Sequence, residues 1–165
     1  MNVAIRRAVF EDAPTVAATI RRAFAEYRDN LVPPSGALSE TAESIAAELA
    51  VQYEAAIATL DAGAAGETVV GCVLFRPDGS DLYFGRLSVL PAYRGAGIAR
   101  ALVAHVEAEA ALRGCPGVVL GVRVALPANQ RFFARLGYAE VARHAHPGFD
   151  HETWIEMRKE LAGPR

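Results

Sequence analysis

Leu87-Ser88-Val89-Leu90-Pro91-Ala92-Tyr93-Arg94-Gly95-Ala96-Gly97-Ile98-Ala99 is the stretch on which the reading of this chain turns. Leu82–Leu90 reads as a strand, Leu90-Pro91 ends it, and from Ile98 the residues Ile98, Leu102, Val106 and Ala110 fall on one apolar helical stripe that runs to about Leu112. A strand, a glycine-bearing loop and a helix N-terminus thus follow one another. Such a turn points free backbone N–H groups and the positive end of the helix dipole at one spot, which suits a phosphate group. Gly95 and Gly97 allow close approach or a positive φ, and Arg94 adds a cation at the rim. The same residues also suit a plain strand-to-helix connection. Two other phosphate loops fail: a G-x-G-x-x-G fingerprint needs a third glycine where Arg100 stands, and no GK[ST] occurs anywhere.

Upstream, Val3-Ala4-Ile5-Arg6 predicts a short strand. Asp12-Ala13-Pro14 opens a helix to about Tyr27, and Pro33-Pro34-Ser35-Gly36 marks a loop before a second helix over Ser39–Ala50. Strands over Ala55–Leu60, Thr68–Phe75 and Leu82–Leu90 are joined by Ala62-Gly63-Ala64-Ala65-Gly66 and Pro77-Asp78-Gly79, connections short enough to force antiparallel pairing. Downstream, Gly114 and Pro116 stop the helix. Val118-Val119-Leu120-Gly121-Val122 is a continuous apolar run, as in a strand buried on both faces and reached by a helical crossover, hence parallel to Leu82–Leu90. A helix from Pro127 through Leu136, then strands over Ala139–Arg143 and Thr153–Lys159, complete one α/β domain spanning residues 1–165, with no repeat or linker.

The net charge of −2 and an apolar fraction of 52% describe an ordinary globular protein and point to no polyanion partner. Met1–Arg7 lacks the apolar core of a signal peptide and no run approaches a membrane span, so a cytoplasmic protein that neither binds membrane nor nucleic acid is expected. Cys72 and Cys115 form neither a CxxC pair nor a metal cluster, so reduced structural thiols and no metal are expected.

The quoted stretch resembles the acetyl-CoA-binding motif of the GNAT N-acetyltransferases, R/Q-x-x-G-x-G/A after a strand ending V-x-P. A second block, Asn129-Gln130-Arg131-Phe132-Phe133-Ala134-Arg135-Leu136-Gly137-Tyr138, resembles the family's later motif, in which an asparagine opens a helix and an aromatic pair precedes a Gly-aromatic step. The resemblance implies a three-layer α/β fold whose mixed, mainly antiparallel sheet splays at its centre, with helices on both faces. It implies acetyl-CoA as cosubstrate, with contacts from Leu87, Val89, Arg94, Gly95, Ala96, Gly97, Ile98, Ala99, Arg100, Asn129, Phe132 and Arg135. It further implies that the backbone N–H near Val89 polarises the thioester carbonyl, as a preorganised donor does for a developing oxyanion. Asn129 serves the cosubstrate, a helix N-cap, or both.

The implied reaction is acetyl transfer to the primary amine of a small molecule by direct attack on the thioester. An acyl-CoA sensor with little turnover and a protein N-terminal or lysine acetyltransferase are the alternatives, and a monomer and a homodimer both fit. The ammonium must lose a proton before attack, whereas the thiolate, with a pKa near ~8.5, leaves easily. The family's usual glutamate, six residues before the valine, is here Tyr83, and its usual tyrosine is Phe133. Water chains, Tyr83, Asp81, Glu26, His144 and His146 remain as proton carriers. Between Glu26 and Glu54 six acids (Glu26, Asp29, Glu40, Glu43, Glu48 and Glu54) accompany one base, Arg28, whereas Arg94, Arg100, Arg131 and Arg135 lie in the two motif regions. A cationic acceptor on the acidic side is the expectation, with a solvated helix face the plainer reading.

Overall fold

The computed structural model describes residues 2–163; Met1, quoted above with the amino-terminal segment, and residues 164–165 at the end of the expected domain lie outside them. The elements are β1 (Val3–Arg7), α1 (Ala13–Phe24), α2 (Ala42–Val51), β2 (Glu54–Asp61), β3 (Glu67–Asp78), β4 (Asp81–Val89), α3 (Ile98–Leu112), β5 (Gly117–Arg123), α4 (Pro127–Arg135), β6 (Ala139–His144) and β7 (Trp154–Glu160). The strands hydrogen-bond in the order β1-β2-β3-β4-β5-β7-β6. Pairing is antiparallel between β1 and β2, β2 and β3, β5 and β7, and β6 and β7, and parallel between β4 and β5. The two-residue link from Asp78 to Asp81 makes β3 and β4 a hairpin. This is the mixed, mainly antiparallel α/β sheet expected. Among the described residues no helix is long and apolar enough to cross a membrane.

The chain forms two compact units, Met1–Arg76 with Arg86–Val106, and Pro77–Gly85 with Glu107–Arg165. In the first, Ala13, Val16, Ala17 and Ile20 recur at helical spacing on α1 and bury against Ile45 of α2, Ile57 of β2 and Leu74 of β3. Burying each such large aliphatic side chain contributes about 1.5–3 kcal/mol. A Cβ at Gly71 of β3 would stand 2.7 Å from Ser88 O and 3.3 Å from Ile98 Cγ2 and Leu102 Cδ1, so this glycine is what lets β3 lie tight against β4 and α3. Cys72 beside it is fully buried, and burial pushes its thiol up to about 12. It stays a thiol and packs as a small apolar side chain.

In the second unit the β4–β5 ladder is the short set Leu82↔Val118, Tyr83↔Val119 and Phe84↔Leu120. Phe84 packs on Phe133 and Tyr138, each with ring centroids 6.0 Å away. The Tyr138 hydroxyl donates to Glu107 at 3.0 Å, and burial together with that carboxylate keeps it protonated by raising its pKa. Lys159 donates to the same Glu107.

Three local expectations need correction. The second helix starts at Ala42 rather than Ser39, because residues 36–39 form a separate tight turn and Thr41 caps α2 by accepting from Ser44 N at 3.0 Å. α4 begins at Pro127, so Asn129 lies inside its first turn and is not the cap. β6 runs to His144, one residue past the expected Arg143, and His146 follows it in the loop, where its N–H donates to Thr153 Oγ1 at 2.9 Å.

Candidate functional site

In the first unit, β4 runs into the glycine loop and then into α3. Leu90 N donates to Val70 O at 2.9 Å, so by the alternation of an antiparallel ladder the N–H and C=O of Val89 face away from β3. Arg94 Nε reaches that Val89 carbonyl at 3.3 Å. Gly95 and Gly97 have φ of 80° and 81°, and no atom lies within 4 Å of the place where a Cβ would stand on either. Glycine is therefore required by the backbone and not by packing, and the space in front of the loop is open. Gly97 O accepts the first helical bond, from Ala101 N at 3.0 Å, so the N–H groups opening α3 have no intrahelical acceptor. Arg94 N–H donates to Pro91 O at 3.3 Å, so it is not among the free donors of the loop.

The guanidinium of Arg94 is more committed than a rim cation. Besides Val89 O, it donates to Glu26 Oε1 at 2.9 Å and to Ala23 O at 2.9 Å, tying the loop to the end of α1. Glu26 and Arg94 are 47% and 39% exposed, so the ion pair itself contributes only about 0–1 kcal/mol. Its consequence is positional: three bonds hold one side chain, and with it the loop. Ile98 is buried, Ala99 and Leu87 are half-buried, and Ala96 and Arg100 are exposed.

The structure thus brings Glu26, Val89 and Arg94 together. The acids of the first two helices are less of a set. Glu40 pairs with Arg86 at 2.7 Å and Glu54 with Arg7, so three of the six meet arginines from distant parts of the chain, while Asp29 and Glu43 are exposed. The count of six acids to one base holds for the window, but three of those charges are met by arginines outside it. A window of sequence cannot show ion pairs closed across many tens of residues.

Tyr83 belongs to the second unit, half-buried in β4, with its hydroxyl 2.7 Å from where a Gly85 Cβ would stand. Asp81 takes two bonds from Arg158, at 2.8 and 3.1 Å, and that arginine holds its carboxyl below the usual carboxylate range. Its charge is spent on β7. The His146 ring is depressed by burial and then by the nearby charge of Arg123, which favours the neutral imidazole. His144 stacks on Trp154 with centroids 4.2 Å apart, and its Nε2 is buried without a hydrogen bond. On α4, Asn129 and Phe132 are half-buried, and Arg131 and Arg135 are exposed. Gln130 donates to Arg123 O at 2.9 Å and Val124 O at 3.0 Å, fastening α4 to the end of β5. The sequence reading missed it, since a glutamine there carries no signal distinct from ordinary helix surface.

Phe133 is buried, with Phe132 at 5.1 Å and Tyr138 at 6.1 Å between ring centroids. It has no proton to give. In the acetyl transfer that the resemblance implies, a thiolate leaves without help, so Phe133→Tyr is expected to change kcat by less than about tenfold, ~1.4 kcal/mol. A gain of several hundredfold in steady-state turnover would contradict this.

A model described as the acetyltransferase (GNAT) family matches residues 23–138. An uncharacterized N-acetyltransferase of Mycobacterium tuberculosis (strain H37Rv) is 32% identical over 153 residues, covering 91% of this chain and 98% of that protein. Among solved structures, the PaiA N-acetyltransferase of Thermoplasma acidophilum in complex with coenzyme A superposes with a TM-score of 0.77 at 18% identity, over 98% of this chain and all of that one (100%). The ribosomal-protein-S18-alanine N-acetyltransferase of Escherichia coli gives 0.74 at 21%, over 98% and 97%.

Proposed function

The chain belongs to the acetyltransferase (GNAT) family, and from that premise we propose that this acetyl-CoA-dependent N-acetyltransferase, a single domain over residues 1–165, acetylates the primary amine of a small molecule. The observation that carries the cosubstrate half is the loop Gly95–Gly97, with two positive-φ glycines, an open front and the N-terminus of α3 behind it. A diphosphate is the ligand such a cradle fits. Arg94 holds the loop through Glu26, Ala23 and Val89, and Val89 N–H is the donor toward the thioester oxygen. Asn129, Phe132 and Arg135 are proposed to contact CoA as well.

In the proposed reaction the neutral amine forms the new C–N bond, the C–S bond breaks, the nitrogen sheds its surplus proton to solvent to become an amide, and CoA leaves as a thiolate that takes up a proton from solvent. The proton lost by the ammonium passes to water, with Tyr83 and Glu26 the side chains proposed to relay it. Of the two, Glu26 already accepts a hydrogen bond from Arg94.

The acidic first helices support a cationic acceptor, and Asp29, like Glu26, is exposed just after α1 but is not bonded to Arg94. Asp29→Asn is expected to raise the amine KM severalfold or more, the scale of a charge-assisted hydrogen bond at ~1.5–3 kcal/mol, and to leave acetyl-CoA affinity unchanged. Glu26→Gln is expected to alter both, because it also takes a partner from Arg94. Steady-state kinetics with each substrate varied in turn separates the two; wild-type constants in Asp29→Asn would make these acids a solvated face. The function itself is tested by thiol release from acetyl-CoA across a panel of small amines, peptide N-termini and lysine peptides. Turnover confined to the peptides would favour protein acetylation, and acetyl-CoA binding without turnover on any amine would return the chain to the sensor reading.

A further inference from the structure

Among the described residues, Arg86 is the non-glycine position with positive φ, at 52°. It lies inside β4, two residues after the last β4–β5 pair, Phe84↔Leu120, and three before Val89. A left-handed conformation disfavours an arginine, so something must hold it. Its backbone carbonyl accepts from Ser88 Oγ at 2.9 Å. Its guanidinium meets Glu40, Nε to Oε1 at 2.7 Å, and lies over the Tyr53 ring at 5.5 Å, with the Tyr53 hydroxyl accepting from Arg76 Nε at 3.2 Å.

Glu40 is anchored in turn. Its side chain is 7% exposed, its second carboxylate oxygen accepts from Ser44 Oγ at 2.5 Å, and its carbonyl accepts from Arg21 Nη1 at 2.5 Å. Ser44 is itself locked into the cap of α2 with Thr41. A carboxylate this buried and this well fixed sets where its arginine must sit. Removing it leaves a partly buried cation without its partner, which is far costlier than the pair is worth on its own.

We propose that Glu40 is a positioning residue for acetyl transfer: by clamping Arg86 it keeps the left-handed kink in β4 and so sets the direction in which Val89 N–H points. This rests on the reading of Val89 N–H as the donor to the thioester carbonyl. With the clamp gone, Arg86 relaxes toward the extended region. The peptide planes that follow it through Leu87 and Ser88 then turn, and the Val89 donor with them. Oxyanion donors act only when aimed, so a small rotation is enough to lose the effect.

The test compares Glu40→Gln, Arg86→Gly and the double variant, with two readouts. One is the infrared carbonyl stretch of bound 1-13C-acetyl-CoA, which needs no acceptor. The other is kcat with the best amine of the panel. In the wild type the bound carbonyl should absorb lower than in free acetyl-CoA. Glu40→Gln should lose most of that displacement and about 10²-fold in kcat, the scale of one oxyanion donor. Glycine adopts a positive φ without penalty, so Glu40→Gln/Arg86→Gly should recover both readouts to within about threefold of wild type. A merely structural glutamate would show no such rescue. An unaltered carbonyl and kcat in Glu40→Gln, or a double variant no better than the single, overturns the proposal. Should Glu40→Gln not fold, the double variant is compared with Arg86→Gly: equal carbonyl positions support the clamp, and a displacement lost in the double overturns it. A wild-type carbonyl that is not displaced at all sinks the Val89 reading and the proposal with it, an outcome distinct from a displacement that Glu40→Gln leaves in place.

Discussion

Gly97→Val should abolish usable acetyl-CoA binding while the chain remains folded. Gly97 has φ of 81°, a conformation valine adopts only under strain, whereas the space around a Cβ there is empty. No core contact is disturbed, so the variant should unfold cooperatively near the wild-type temperature. The loop instead relaxes toward negative φ, which turns the N–H groups of Gly95 to Ala99 away from one another, and the new side chain stands in the open front of the cradle. Losing two charge-assisted hydrogen bonds at ~1.5–3 kcal/mol each corresponds to roughly 10²–10⁴-fold in affinity. Calorimetric titration with acetyl-CoA measures it directly. Wild-type affinity in a folded Gly97→Val protein would remove the loop from the binding site altogether.

The largest effect on stability is expected at Gly71. A methyl group there would meet the backbone oxygen of Ser88 at 2.7 Å and the side chains of Ile98 and Leu102 at 3.3 Å. The side chains can yield by a few tenths of an ångström, but the backbone oxygen can move only if β3 and β4 separate. Overpacking of this kind costs about 1–3 kcal/mol and more when backbone must shift. For a chain of this size a loss of ~3 kcal/mol lowers Tm by roughly 6–12 °C. Gly71→Ala should therefore melt clearly earlier in a thermal scan. It should also weaken turnover, because Ser88 is the neighbour of Val89. An unchanged Tm would mean that β3 and β4 do not approach at Gly71 as closely as described.

The order of elements, the parallel crossover through α3 and the glycine loop were all legible in the residues. Each rests on local physics: alternating or continuous apolar runs, proline and glycine stops, and a helical stripe from Ile98 to Ala110 that matches α3 residue for residue. The family motif lies in one contiguous stretch, so no tertiary contact was needed to see it. The residue type of Gly95 and Gly97 allowed either a close approach or a positive φ, and the structure has the positive φ at both.

What remained hidden depends on residues far apart in sequence. Arg94 looked like a free cation, and the fold ties it to Glu26 and Ala23, some seventy positions upstream (separations of 68 and 71). Six acids looked like one surface, and the fold sends Glu26, Glu40 and Glu54 to three different arginines. Gly71 and Arg86 carried no signal at all, since a glycine in a strand and an arginine in a strand are each unremarkable until a neighbouring backbone or a left-handed φ gives them a task. Periodicity and turn chemistry are properties of adjacent residues and can be read along the chain. Which charges neutralise which, and how closely two strands approach, are set by packing, so only the tertiary structure decided them.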